Sequence, residues 1–275
     1  MYEQIILVGG SQFARKCMSI MQEYCNTLYF NTDSTKKPEL MQYLSNVSVH
    51  TLVLSIMNPY IFTEQVIANP NLTIINLHHG VLPGHRGRNA QSWALFYEEK
   101  EVGITWHLVD GGVDTGKILH IERIPIEEHD TALSLMKKQN LLAFENLKVL
   151  LPQFLSGKLV HSALSDTNTA DIKKPKYDYL HRNCDVPGEG ILDLNWSGHK
   201  MSCFLRAMDF GILKVLGTPI LEWHDKWWSF SGYRIEKRNH SADLSVTHRE
   251  NNIFIEKDHY FITLQKVKNL NAGKQ

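Results

Sequence analysis

Three polar residues, Asn76, His78 and Asp114, have the side-chain types that acyl transfer to an amine requires. Asn76 and His78 are two positions apart, so at a strand end their side chains point to the same side. An imidazole takes up a proton near neutral pH, and an asparagine amide can donate a hydrogen bond to an oxyanion forming on a carbonyl. A carboxylate at Asp114 can orient the imidazole and stabilise its protonated form. The sequence therefore predicts a centre for acyl transfer.

Simpler interpretations of these residues stay open. An Asn-x-His pair at a strand end also serves to pack or to cap a turn, and Asp beside Gly is ordinary turn chemistry. A metal cluster is a further option, made of His78, His79, His85 and His107. No acidic or cysteine partner shows recognised ligand spacing, so we predict that no metal is bound.

The elements that must position this centre alternate between apolar runs and helix-compatible stretches. Gln4 to Val8 is an apolar run that ends in a glycine turn, and later runs cover Thr27 to Phe30, Thr51 to Ile56 and Leu72 to Leu77. This alternation predicts an α/β fold with a doubly wound, mostly parallel sheet and helices on both faces. Such sheets bind ligands at the carboxyl ends of their strands, which is where Asn76 and His78 lie.

The next segment predicts a hairpin-like excursion followed by a long helix. Two extended runs, Gly103 to Leu108 and Ile118 to Ile124, flank the glycine-rich turn that carries Asp114. From Thr131 to Leu151 the apolar residues recur at three-to-four spacing, which predicts one amphipathic helix. Pro152 is predicted to stop this helix.

The remaining chain indicates a second, smaller domain. The polar, lysine-rich stretch from Ser165 to Asp178 predicts a surface linker. We place residues 1–185 in the catalytic domain and residues 186–275 in a β-rich domain, because aromatic and β-branched residues favour short strands there. One helix is predicted in this part, within Trp196 to Phe210.

Charge and cysteine content exclude some functions. Lys plus Arg and Asp plus Glu number 29 each, so no net field attracts nucleic acid or an acidic membrane, and a small-molecule partner is expected. The four cysteines are scattered without a CxxC pair. The first residues have neither the basic start of a signal peptide nor the length of a membrane span. We predict a cytoplasmic protein that does not associate with membranes.

The motifs, in the order Asn-x-His, Leu-Pro-x-x-Arg-Gly, Gly-x-Thr and Val-Asp-Thr-Gly, resemble those of the folate-dependent formyltransferase family over about residues 1–155. The resemblance implies that Asn76, His78 and Asp114 are catalytic and that 10-formyltetrahydrofolate is the co-substrate. It also implies a folate-binding groove formed by Leu82, Pro83, Arg86, Gly87, Val109, Asp110 and Gly111. The segment His79-Gly80-Val81 departs from the family pattern of a small residue or Pro, then Ser and Leu, which affects substrate contacts.

The acceptor amine is less defined. We predict that it contacts His79 and the backbone of Gly10, Ser11 and Gln12, because amides at a helix start can approach a phosphate. A dinucleotide site at this turn, with Asp33 as the ribose acid, is not favoured because GxGxxG is missing.

Several acceptors stay open. From Ile191 to Gln275 there are 12 Lys or Arg against 9 Asp or Glu, which is weak support for RNA binding. A nucleotide-linked amino sugar is the leading acceptor, with methionyl-tRNA or an amino acid as alternatives. A binding module without transfer, a formyl-folate hydrolase and a homodimer are also kept as options.

Overall fold

The computed structural model describes residues 2–24, 26–165 and 179–271. They pack as two compact units: the first lies within residues 1–90, 103–124 and 137–181, and the second within residues 91–102, 125–136 and 182–275. Nearly all of the linker predicted over Ser165 to Asp178 lies outside the described residues. The division of the chain at residue 185 stays a prediction.

A six-stranded sheet forms the centre of the first unit. The strands up to residue 125 are β1 (Gln4–Gly9), β2 (Thr27–Asn31), β3 (Thr51–Ile56), β4 (Leu72–His78), β5 (Arg86–Gly87), β6 (Glu101–Leu108) and β7 (Ile118–Pro125). The sheet order is β2-β1-β3-β4-β6-β7, while β5 pairs separately with β8 (Leu180–His181). The pairs β1–β2, β1–β3 and β3–β4 are parallel and β4–β6 is antiparallel. The predicted mostly parallel sheet is confirmed.

Helices cover both faces of this sheet. Up to residue 165 the helices are α1 (Ser11–Gln22), α2 (Lys37–Ser45), α3 (Glu64–Ile67), α4 (Ala90–Phe96), α5 (Ala132–Leu155) and α6 (Lys158–Ser165). Helices α1, α5 and α6 contribute to one core of the sheet, and α2 and α3 to the other. Alternate residues of β1 enter different cores, because successive strand side chains point to opposite faces. Ile5 and Leu7 pack with residues of α1 and α5, whereas Ile6 and Val8 pack with residues of α2 and α3. The doubly wound architecture is thereby confirmed.

The prediction that Pro152 stops the long helix was wrong. Helix α5 continues through Pro152 to Leu155. Proline lacks an N–H and removes one helical hydrogen bond, which costs stability. The residues on either side offset this cost, since Leu151 and Phe154 are fully buried in the core. Burial of these apolar side chains keeps the last turn helical.

The second unit is rich in β-structure, as predicted. It contains β9 (Ile191–Leu192), α7 (Gly198–Met208), β10 (Ile220–Trp223), β11 (Lys226–Ser229), β12 (Gly232–Arg249), β13 (Asn252–Gln265) and β14 (Lys268–Asn269). A four-stranded sheet has the order β14-β11-β10-β9, and β12 and β13 form a long hairpin. Ser197 caps α7 by accepting a hydrogen bond from the Lys200 N–H at 3.1 Å.

Within the described ranges, no helix combines the length and the apolar character needed to cross a membrane.

Candidate active site

The carboxylate of Asp114 lies at the centre of a cluster of polar groups. Its Oδ2 is 3.3 Å from His78 Nδ1 and accepts a hydrogen bond of 2.8 Å from the Gly87 N–H. Its Oδ1 is 3.3 Å from His107 Nε2 and 3.5 Å from Asn76 Nδ2. Asp114 itself has a φ of +53°, a conformation that Asp adopts more readily than most residues. The three residues singled out in the sequence therefore lie together, with His107 as a fourth member.

The antiparallel pairing of β4 with β6 aligns this cluster. Asn76 lies directly opposite His107 in the strand register. On the same strand, Thr105 donates from Oγ1 to the Gly80 carbonyl at 2.7 Å and accepts from the Leu82 N–H at 3.1 Å. Strand β6 thus supplies one side chain to the cluster and holds the turn that follows β4.

Gly80 leaves the space that the imidazole of His78 occupies. A Cβ atom at residue 80 would lie 2.5 Å from His78 Nε2 and 2.9 Å from the Cβ of Ala90. Real Cβ contacts are longer than this, so any larger residue would displace the ring. The glycine that departs from the family pattern is therefore required by the packing of His78.

Both ring nitrogens of His78 face hydrogen-bond acceptors. Nε2 is 3.0 Å from the carbonyl oxygen of His85, and Nδ1 faces the carboxylate of Asp114. Burial lowers the pKa of His78, and the attraction of Asp114 offsets this only in part. The neutral ring carries one hydrogen, and the carbonyl oxygen and the ionised carboxylate can both only accept. One of the two contacts therefore lacks a hydrogen and has room for an incoming proton.

Asp114 stays ionised at neutral pH. Burial alone would raise its pKa, but attraction to the His78 ring and contacts with His107 and Gly87 lower the pKa of Asp114 to about 2. The hydrogen bond from the Gly87 N–H favours the carboxylate whichever charge His78 carries. The cluster is consequently a proton acceptor at neutral pH.

Sequence reasoning considered His107 only as a metal ligand and did not consider Ser55. Ser55 lies on β3 and donates from Oγ to Asn76 Oδ1 at 2.8 Å. The signal for His107 was its alternation with Thr105 in the otherwise apolar β6, which places two polar side chains on one face of the strand. The signal for Ser55 was a hydroxyl near the carboxyl end of a fully buried strand, where ligand sites of parallel sheets lie.

The residues predicted to bind folate lie on two segments. Gly87 contacts Asp114 directly, and Leu82 is only 2% exposed. On the loop before Asp114, Asp110 Oδ1 accepts hydrogen bonds from the Gly112 N–H at 3.0 Å and from Thr115 Oγ1 at 2.6 Å. A Cβ at the intervening Gly111 would meet no atom within 4 Å. The backbone at Gly111 is therefore open, and folate binding by these residues stays a prediction. The neighbouring predicted residues are Pro83, Arg86 and Val109.

The predicted acceptor contacts at the start of α1 are already engaged within the chain. The Gly10 N–H donates to the Met57 carbonyl at 3.2 Å, and the Ser11 N–H donates to Asp33 Oδ2 at 3.1 Å. A phosphate at this helix start would meet the negative charge of Asp33. The contacts predicted for Gly10, Ser11 and Gln12 stay predictions.

His79 directly follows β4, and its ring contacts Asn140 and Phe13. Its Nε2 is 2.8 Å from Asn140 Oδ1, and its ring meets Phe13 edge-on at 6.1 Å. Burial, only partly countered by the bond to Asn140, lowers the pKa of His79 to about 4. The ring is therefore neutral and fixed. Its contact with the acceptor stays a prediction.

Across the parts of the chain that the structure describes, no group of three or more His, Cys, Asp or Glu residues is arranged to hold a metal ion.

A family model described as formyl transferase matches residues 10–151. Among known proteins, GDP-perosamine N-formyltransferase of Brucella melitensis is 34% identical over 148 residues, or 52% of this chain and 52% of that enzyme. Methionyl-tRNA formyltransferase of Caldanaerobacter subterraneus is 36% identical over 129 residues, covering 47% of this chain and 41% of that enzyme. This chain therefore matches only about half the length of such relatives, or less.

A solved structure is similar over nearly the whole chain. It is the N-formyltransferase from Helicobacter canadensis, in complex with folinic acid and dTDP-3-aminofucose. The two chains share 15% sequence identity, with a TM-score of 0.71 and coverage of 97% of this chain and 100% of that one. At this level of identity the similarity concerns the fold.

Proposed function

The chain belongs to the formyl transferase family, and from that premise we propose that it transfers a formyl group from 10-formyltetrahydrofolate to the primary amine of a nucleotide-linked amino sugar. The observation that carries this proposal is the arrangement around Asp114. An ionised carboxylate lies within 3.5 Å of two imidazoles and one amide side chain. The transfer of an acyl group together with a proton requires groups of these kinds.

In the proposed reaction the amine attacks the formyl carbon and gives up a proton. Asn76 stabilises the oxyanion by donating a hydrogen bond from its amide. His78 and Asp114 accept the proton, because the contact between Nδ1 and Oδ2 at 3.3 Å can hold one. The proton then goes to the folate nitrogen as its bond to the formyl carbon breaks.

The proposed folate groove would be formed by the two loops that flank the cluster around Asp114. Gly111 has open space around its backbone, and Gly87 lies against Asp114. A flat ligand placed there would bring its reacting carbon beside the carboxylate cluster. Residues proposed to line this groove are Leu82, Pro83, Arg86, Gly87, Val109, Asp110 and Gly111.

A nucleotide-linked amino sugar is proposed as the acceptor for two reasons. The Brucella relative is described as acting on GDP-perosamine, and the Helicobacter structure contains dTDP-3-aminofucose. The charge of the C-terminal segment also gives little support for RNA, with 12 basic against 9 acidic residues from Ile191 to Gln275.

The test is a panel assay with the purified full chain. The protein is incubated with 10-formyltetrahydrofolate and GDP-, dTDP- or UDP-linked amino sugars, and release of tetrahydrofolate is followed by absorbance. Mass spectrometry then identifies a product heavier by one carbonyl group. His78→Ala should abolish turnover. Full activity in that variant, or no turnover with any sugar, contradicts the proposal.

Methionyl-tRNA formyltransferase is the second candidate, because one relative with that activity is 36% identical over 129 residues. This activity would be detected as formylation of aminoacylated tRNA, and tRNA binding would weaken steeply as the salt concentration increases. Turnover of tRNA but not of amino sugars would favour it. The homodimer also stays a proposal, tested by sedimentation of the purified chain.

A further inference from the structure

Ser55 places a buried hydroxyl between two asparagine side chains. It lies on β3, directly opposite Asn76 in the parallel register with β4, and it is only 1% exposed. Its Oγ is 2.8 Å from Asn76 Oδ1 and 3.3 Å from Asn58 Nδ2. A hydroxyl has one hydrogen, so it can donate to only one of these neighbours. The direction of its hydrogen therefore depends on which end each amide presents to it.

Backbone groups determine the direction of the Asn58 amide. The Tyr60 N–H can only donate, and it lies 2.9 Å from Asn58 Oδ1. The Tyr60 carbonyl can only accept, and it lies 3.1 Å from Asn58 Nδ2. Both main-chain groups of Tyr60 thus require the same orientation of this amide. Asn58 Nδ2 then donates to Ser55 Oγ, and the hydroxyl keeps its own hydrogen for Asn76.

This arrangement presents the nitrogen of the Asn76 amide to the carboxylate cluster. With Oδ1 accepting from Ser55, Nδ2 faces Asp114 Oδ1 at 3.5 Å. The reversed amide would bring its oxygen to the oxygen of an ionised carboxylate, and these two atoms can only accept. Ser55 Oγ would then also face two donors, from Asn58 and Asn76. Ser55 therefore favours the orientation in which Asn76 can donate towards the cluster.

The two ends of the Asn76 amide are held with different strength. The bond from Ser55 is 2.8 Å long, whereas the contact with Asp114 is 3.5 Å, beyond the usual N–H···O range of about 2.7 to 3.2 Å. An N–H in such a long contact can turn to an acceptor that comes closer. The oxygen end of Asn76 is consequently fixed, and the nitrogen end is available to a substrate.

We infer that Ser55 is a positioning residue that directs the Asn76 amide nitrogen at the formyl oxygen. The inference rests on the proposed formyl transfer. As the amine attacks, the carbonyl electron pair moves to oxygen, and the hydrogen bond from Asn76 Nδ2 strengthens with this negative charge. Ser55 acts through Asn76 and takes no part in the proton transfers.

Kinetics of Ser55→Ala and Ser55→Thr test the inference. Alanine removes the donor to Asn76 Oδ1, so we expect kcat to fall by about 10-fold, the factor for one hydrogen bond, with KM values nearly unchanged. Threonine keeps a hydroxyl and should restore most of the lost kcat. In an Asn76→Ala background Ser55→Ala should cause no further loss, because Ser55 acts through Asn76.

Three kinetic results would overturn the inference. The first is an unchanged kcat in Ser55→Ala, and the second is an equal loss in the wild-type and Asn76→Ala backgrounds. The third is a folded Ser55→Thr protein that is as slow as Ser55→Ala, because the hydroxyl would then not be the group that matters.

Thr51→Val is the matched control. Thr51 is a fully buried residue at the other end of β3, where its Oγ1 donates to the Val49 carbonyl at 2.9 Å. Valine removes this hydroxyl with little change of shape, and kcat and KM should not change. A loss of kcat equal to that of Ser55→Ala would mean that any buried hydroxyl of this strand has the same effect, which contradicts a specific role for Ser55.

An activity-independent measurement separates this inference from the proposed function. Asn76 Nδ2 lies 3.1 Å from His107 Nε2, so the amide hydrogens lie near the carbon-bound ring hydrogens whichever ring nitrogen is protonated. In ¹⁵N-labelled protein, with Asn76→Ala used for assignment, nuclear Overhauser effects should connect this amide to the ring and weaken in Ser55→Ala.

An amide without these effects in the wild type, or with effects that Ser55→Ala leaves unchanged, overturns the inference. A wild-type protein that shows them but turns over no amine contradicts the proposed function instead.

Discussion

Replacing His79 with Gln should make the first unit less sensitive to acid. The neutral ring of His79 is fixed by Asn140, and burial lowers its pKa to about 4 from an ordinary value of 6.5. Between these two values the unfolded chain binds a proton that the folded chain does not. The free energy of unfolding therefore falls as the pH falls through this window, and the contribution of the neutral ring is fully present only above about pH 6.5.

The size of the effect follows from the two pKa values. At pH 5 the difference corresponds to about 2 kcal/mol of lost stability. His79 keeps some accessible surface, and solvent screening lowers the expected loss to about 1 kcal/mol. Gln removes the titrating ring but keeps an N–H that can reach Asn140. The wild-type protein should thus lose about 1 kcal/mol relative to His79→Gln between pH 7.5 and pH 5.

Urea denaturation at the two pH values measures this difference. Circular dichroism and tryptophan fluorescence should give coincident transitions before a two-state analysis is applied. The exposed His259 provides a matched control, since His259→Gln removes one histidine without touching a buried contact and should follow the wild type. A difference between wild type and His79→Gln that does not change with pH would refute the reasoning.

Three further predictions concern the carboxylate of Asp114, the glycine beside His78 and the long helix. Asp114→Asn should lower kcat by about 10⁴-fold, as for loss of the acid in a serine hydrolase triad, in an assay of tetrahydrofolate release. The stability that wild type gains from ionised Asp114 should be lost as the pH falls from about 4 towards 2 relative to this variant, because its folded pKa is lowered; denaturation curves across that range test this. Gly80→Ala should displace His78 and abolish turnover while circular dichroism shows a folded chain; retained activity would contradict the 2.5 Å contact. Pro152→Ala should raise the melting temperature by restoring a helical N–H donor, whose hydrogen bond contributes about 1 kcal/mol. A lower melting temperature would mean that the proline stabilises the helix at this position.

The sequence was sufficient to predict that the side chains of Asn76, His78 and Asp114 lie close together. Strand alternation put the first two on one side, and the motif order linked them to Asp114. His107 could not be assigned in this way, because its partner is set by the antiparallel register of β4 and β6. A register depends on which strands are neighbours, which a single strand pattern does not specify.

Other differences have a similar cause. The rule that proline ends a helix is local, whereas the burial of Leu151 and Phe154 that overrides it comes from contacts distant in the chain. The compact units are also interleaved along the chain, since residues 91–102 and 125–136 group with residues 182–275. Composition and linker signals follow the order of the chain, so they cannot indicate interleaving of this kind.

The hydrogen bond that Ser55 donates to Asn76 has a consequence for the design of a similar centre in another protein. Copying Asn-x-His onto the end of another parallel strand transfers the two side chains but not the direction of the amide. Without a hydroxyl equivalent to Ser55, fixed in turn by Asn58, the asparagine can present its oxygen instead of its nitrogen to the reacting carbonyl. A redesigned enzyme would therefore also need the equivalent of strand β3, which carries Ser55, and of the loop that carries Asn58.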